Sequence, residues 1–243
     1  MEGSRTPGGG LPGASEAWVA AVTETAELAE RRDAVTELGR RLRELTEAAV
    51  RTEVPTDVLR RVADEVAAAT EELGRQQREI SETAAVDDLI GGVRMYNPVI
   101  GEGHPIAPPI RFEIDGTFVE GRCTLGLAHE GPPSSSHGGM SALWLDQALG
   151  HAAAAADNRG VTTNLSVRYR KPVPLGVPLR IWADTVEVDG NRTVTQGGIT
   201  TVAEPDVALV EAEARFLRLN GAQVRRMFPS MFSASGAAAG EGE

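Results

Sequence analysis

The segment GGMSALWLDQALGHAAAAA, residues 138–156, limits the fold more than any other part of the chain. At 100° per residue, Met140, Leu143, Trp144, Leu145, Ala148 and Leu149 spread around most of a helix circumference. A helix apolar on nearly every side has to be buried on nearly every side. The rest of the chain must therefore supply a surface that wraps it. Asp146 is its only carboxylate, close to Leu143 and Leu149. A carboxylate in such surroundings finds partners or shifts its pKa upward. It is either a structural aspartate satisfied by donors or a group retained for chemistry.

The wrapping surface is legible on both sides of this helix. Before it, FEI and TFVEGRCTLGLA alternate like strands, with Gly116 as a turn between them. After it come four strand candidates at 161–171, 177–189, 192–203 and 207–219. Asp189-Gly190-Asn191 and Pro205-Asp206 supply turn signals between the later ones. Leu179, Ile181 and Ala183 alternate with Arg180, Trp182 and Asp184, and Ala208, Val210, Ala212 and Ala214 repeat the pattern. Two strands, one helix and four strands predict an α+β domain at 111–222, in which a meandering antiparallel sheet buries one helix.

Other segments precede and follow this domain. Residues 1–14 are rich in Gly and Pro and are expected to be disordered. Residues 15–84 predict a helical hairpin. Its first helix spans 15–52, capped by Ser15, with a stripe of Val35, Leu38, Leu42, Leu45 and Ala49. Pro55 opens the second, whose stripe is Val58, Val62, Val66, Ala69 and Leu73. Such a hairpin buries its stripes on its own chain or offers them to a partner. An extended Gly/Pro-rich arm at 85–110 contains His104, read as a surface residue, and a flexible tail is expected at 223–243.

Composition excludes several functions. The net charge of −11 argues against nucleic-acid binding. Residues 1–90 hold 19 of the 35 acids, so an anionic ligand is better received by the C-terminal part. No apolar run approaches the ~18 residues of a membrane span, and the N-terminus has no apolar signal core. The expected compartment is the cytoplasm. Cys123 is the only cysteine and reads as a small strand residue. Four scattered histidines and one cysteine give no metal-ligand spacing, and no phosphate-binding Gly-rich loop appears, so neither metal nor cofactor is expected. A Gly-x-Ser-x-Gly elbow is lacking, which disfavours a serine hydrolase.

The helix begins in SSSHGG, residues 134–139. Glycine is a poor helix former but lets a ligand approach the backbone closely. Free N–H groups at a helix start attract negative charge, including a carbonyl oxygen becoming an oxyanion. The same residues also serve as a plain helix cap and a tight entry.

HGGMSALWLDQALG together with VTTNLSVRYRKPVPLG resembles the PaaI-type and THEM4-like thioesterases of the hotdog superfamily, over roughly residues 95–220. The motif comprises His-Gly-Gly, an aspartate nine residues after the histidine, and a Thr-Thr-Asn strand ending in Tyr-Arg-Lys-Pro. The resemblance implies a hotdog fold, acyl-CoA as substrate and a homodimer or homotetramer. Gly138 N–H would polarise the thioester carbonyl, and His137 would orient the loop or assist the leaving thiolate. Asp146 from the partner protomer would act as general base or as nucleophile. Thr162 would position the water, although strand alternation gives Thr163 the parity of Leu165 and Val167 unless a bulge intervenes. Gly139 and Thr163 join the substrate-binding candidates. So do Arg168, Arg170 and Lys171, cations suited to the phosphates of coenzyme A. Trp144 reads as core or as part of an acyl tunnel. The asparagine that some relatives carry in the approach loop is missing from HEGPPSSSHGG. Two other readings remain: a non-catalytic acyl-CoA-binding or scaffold protein, and a hotdog dehydratase or hydratase using Asp146 and His151.

Overall fold

A computed structural model describes residues 25–89 and 91–228. The expected disordered start, residues 15–24 and most of the expected tail lie outside the described residues. Helices α1 (Ala26–Arg51) and α2 (Thr56–Gly74) come first. Thr25, not Ser15, caps α1, accepting from Leu28 N–H at 3.1 Å. A short polar cap residue at this position satisfies an amide that the helix cannot.

A six-stranded antiparallel sheet follows: β1 (Phe112–Asp115), β2 (Phe118–Thr124), β3 (Val161–Tyr169), β4 (Pro178–Asp189), β5 (Arg192–Thr201) and β6 (Val210–Leu217). Their order is β1-β2-β4-β5-β6-β3. Gly116 and Gly190, at φ +60° and +56°, make the tight β1–β2 and β4–β5 turns. Between β2 and β3 runs α3 (Gly138–Ala155), which packs across β2 to β6. The expected order of two strands, a helix and four strands is the observed one, and the sheet wraps the helix as a hotdog fold.

Burial of apolar surface holds this layer together. Val119, Leu179, Ile181, Ala183, Ile199 and Val210 meet Trp144, Leu145, Ala148 and Leu149 of α3, all fully buried. Each large side chain contributes about 1.5–3 kcal/mol by leaving water. Trp144 is thus core, with the His129 ring edge-on at 5.8 Å. Burial also pushes the Cys123 thiol on β2 up to about 12, which keeps it protonated and inert. Burial of α3 is not all-round, however. Leu143, Asp146, Gln147 and Gly150 form a half-buried stripe along it.

The arm between α2 and β1 is irregular yet packed. Val99, Ala107 and Ile110 are buried, and Asn97 reaches Gln147 of α3 at 3.0 Å. His104 accepts from Ile106 N–H and its carbonyl from Arg43, so it is structural. Close contact joins α1 to this arm: a Cβ on Gly39 would collide with the Glu102 carbonyl and Gly103. Residues 223–227 of the expected tail instead belong to α4 (Gly221–Met227), which has a reciprocal Asn220–Gln223 capping box. Among the described residues, no helix is long and apolar enough to cross a membrane.

Candidate active site

The approach to α3 is a loop held by its own backbone. A 3-10 turn at Leu127–His129 leads into it. Ser134 adopts φ +63°, and its amide donates to the Glu130 carboxylate at 2.8 Å. His137 N–H donates to His129 O at 2.9 Å, fixing where α3 begins. Glu47 of α1 reaches the loop from outside, accepting from Leu127 N–H at 3.1 Å and Ala128 N–H at 3.0 Å.

His137 is the N-cap of α3. Its Nδ1 accepts from Gly139 N–H at 3.1 Å, so the proton of the neutral ring sits on Nε2. This occupies the Gly139 amide. Gly138 N–H, the first of the helix, has no acceptor among the described residues. This free donor lies where the helix dipole favours negative charge. Tyr169 closes over it: its hydroxyl donates to Gly138 O at 2.8 Å. A Cβ on Gly138 would stand 3.3 Å from the Tyr169 ring.

Asp146 lies two turns further along α3 and is half-buried. The Thr162 hydroxyl donates to its Oδ1 at 3.0 Å. A β-bulge makes that contact possible. Thr162 pairs with Phe216 but Asn164 pairs with Arg215, leaving Thr163 as the extra residue. Thr162 is thereby turned to the α3 side, with Leu165, Val167 and Tyr169. Thr163 is directed to the backbone, donating to Arg215 O at 2.9 Å.

The cationic candidates are placed differently. Arg168 and Arg170 alternate with Val167 and Tyr169, so they occupy the opposite side of β3 from Asp146. Arg170 pairs with Glu211 on β6 at 2.8 Å. Arg168 and Lys171 are exposed and have no ion-pair partner among the described residues. His151 stands five residues beyond Asp146, about 140° around the helix. It packs against Phe112 with ring centroids 5.2 Å apart, and burial, with Arg159 nearby, lowers its pKa and keeps it neutral. Among the described residues no cluster of three acidic, His or Cys side chains is arranged to hold a metal.

Tyr169 and Glu47 were given no role by sequence reasoning. Tyr169 shares the parity of Leu165 and Val167, which already aims it at α3. Glu47 lies 80 residues from Leu127, and no local signal links them.

Residues 135–208 match the profile of the Thioesterase superfamily. The chain is 32% identical over 90 residues to the acyl-coenzyme A thioesterase THEM4 of Xenopus laevis, covering 37% of this chain and 40% of that protein. Against THEM4 of Mus musculus it is 28% identical over 95 residues, covering 39% and 40%. The matched part thus spans about two fifths of the length of these curated relatives. A solved thioesterase superfamily protein superposes with a TM-score of 0.65 at 31% identity, covering 75% of this chain and 94% of that one. By this near-complete match, and by the sheet wrapped around α3, the chain belongs to the thioesterase superfamily.

Proposed function

We propose that this chain hydrolyses an acyl-CoA to the free carboxylic acid and CoA, in a homodimer whose sites each draw on both protomers. The observation that carries the reading is the Thr162 hydroxyl on Asp146 Oδ1 at 3.0 Å, in a protein whose Gly138 amide is left without an acceptor. Water held between the Thr162 oxygen and the other Asp146 oxygen gives a proton to the carboxylate as its oxygen bonds to the thioester carbon. Charge collects on the carbonyl oxygen, against Gly138 N–H and the positive end of α3. One such donor is worth about 10²–10³ in rate. Collapse of this intermediate breaks the carbon–sulfur bond. The thiolate leaves beside His137 Nε2–H and takes up the proton held by Asp146.

Two features support a shared site. Gly138 and Asp146 are eight residues apart on one helix, about 12 Å along its axis. Among the described residues β3 is also the sheet edge, paired on one side only, with the half-buried stripe of α3 alongside. An unpaired edge is a template for a second strand. Pairing two copies there brings Gly138 of one toward Asp146 of the other. Arg168 and Lys171 at this edge are the proposed contacts for the CoA phosphates; Arg170 is already held by Glu211.

The scaffold reading leaves Asp146 and its Thr162 partner without a purpose. A dehydratase needs Asp146 and His151 to converge, and they leave α3 in different directions. A single turnover in ¹⁸O-labelled water tests the mechanism. Label in the released acid is expected for direct attack by water. Label retained in Asp146, with an unlabelled acid, would replace it with nucleophilic attack by the carboxylate.

A further inference from the structure

We infer that α2 joins two copies of this chain, packing antiparallel on itself about a twofold axis at Val66. Every residue of α2 is exposed except the half-buried Val58. Most helical stability in proteins comes from packing of an amphipathic face, which α2 does not find among the described residues. Leu59, Val62, Val66, Ala69 and Leu73 follow alternating steps of three and four residues, the seam of a two-helix coiled coil. Leu59, Val62, Val66 and Leu73 are 46%, 37%, 42% and 54% exposed, so nothing among the described residues covers the seam. The inner face of α1 is already occupied by the arm and the loop before α3.

The occupant follows from the symmetry of the seam. Val66 lies midway between Leu59 and Leu73, and Val62 mirrors Ala69 to within one residue. Antiparallel pairing about Val66 sets Leu59 against Leu73 of the second copy at both ends. This is the self-complementary patch that a twofold contact requires. The charges obey the same symmetry. Arg61, Glu65 and Glu72 lie along one flank, and the twofold axis lays that flank against itself. It brings Arg61 to within one residue, about 1.5 Å along the axis, of the level of Glu72 in the other copy. Arg61 has no ion-pair partner among the described residues, whereas Arg40 and Arg41 of α1 are both paired in-chain. Glu65 sits one turn from Arg61, so each guanidinium stands between two carboxylates. This contact uses no residue of the α3 site and is independent of β3 edge pairing.

Full-length chains carrying Val66→Cys or Asp64→Cys, oxidised and run on a non-reducing gel, test the axis. Cys123 is half-buried, and its raised pKa keeps the thiol protonated and out of the reaction. Val66→Cys is expected to give a disulfide-linked dimer, and Asp64→Cys, on the far side of α2, none. By light scattering, Val66→Glu halves the particle mass without loss of thioesterase activity. Arg61→Glu does the same, and adding Glu72→Arg restores the mass. Wild-type mass in Val66→Glu, or equal cross-linking of both cysteine variants, would overturn the inference.

Discussion

The Thr162 hydroxyl donates to Asp146 Oδ1 at 3.0 Å, joining the edge strand to the central helix at the one carboxylate that helix carries. If Thr162 positions the water that Asp146 activates, its removal slows chemistry more than binding. Thr162→Val is expected to lower kcat by about 10–100-fold with little change in KM, and Thr162→Ser to recover most of it. Steady-state kinetics on one acyl-CoA decide it. A change confined to KM would move Thr162 from the chemistry to substrate binding.

The neighbouring threonine is expected to behave otherwise. Thr163 spends its hydroxyl on Arg215 O at 2.9 Å, inside the bulge. Thr163→Val should cost about 0.5–1.5 kcal/mol of stability, one lost hydrogen bond. Thermal denaturation reads that loss, while kcat stays within a few-fold of wild type. Opposite outcomes for the two positions are the signature of the bulge.

Gly138 is tightly bounded. An alanine Cβ would stand 3.3 Å from the Tyr169 ring, so the ring or the helix start must shift. Gly138→Ala is expected to lower kcat by about 10²-fold, the scale of one oxyanion donor misplaced. Tyr169→Phe removes only the 2.8 Å hydrogen bond to Gly138 O and should fall between this variant and wild type.

Glu47 makes α1 part of the fold of the site. Burial alone would raise its pKa, but the amides of Ala128 and Leu127, with Arg51 nearby, outweigh that and hold the carboxyl below its usual value. Its stabilising contribution is therefore complete above the ordinary carboxylate range and disappears as pH falls through the lowered native value. Glu47→Ala should cost about 1–2 kcal/mol at neutral pH and nothing in strong acid, read from melting temperature against pH. A chain starting near Ala84 carries every motif residue, and on sequence alone it should keep its activity. Because Glu47 props the loop before His137, deletion of α2 alone is now expected to be the milder of the two truncations.

Much of the fold follows from short-range pattern. The nearly all-apolar α3 required a wrapping sheet, and alternation at Leu179, Ile181 and Ala183 named its buried face. Gly138 and Asp146 were picked out by their places at the start and in the middle of that helix, whereas His137 entered through the resemblance carried by HGGMSALWLDQALG. What escaped depends on partners far along the chain. The bulge that turns Thr162 toward Asp146 arises in pairing with β6, and strand parity taken alone favoured Thr163. Arg170 looked available until Glu211 stood beside it. Two other gaps differ in kind. The Asn220–Gln223 capping box was readable and was passed over, because the expected domain boundary at 222 fell inside it. The stripe of α2 was readable too, but amphipathicity does not say what covers it.

Thiol release from a panel of acyl-CoAs, comparing wild type with Asp146→Asn, tests the central claim most directly. The account predicts hydrolysis of at least one acyl-CoA by the wild type, and a fall of about 10²–10⁴-fold in kcat for the folded variant. Equal rates in the two proteins, or no thiol release from any acyl-CoA by folded wild type, would contradict it.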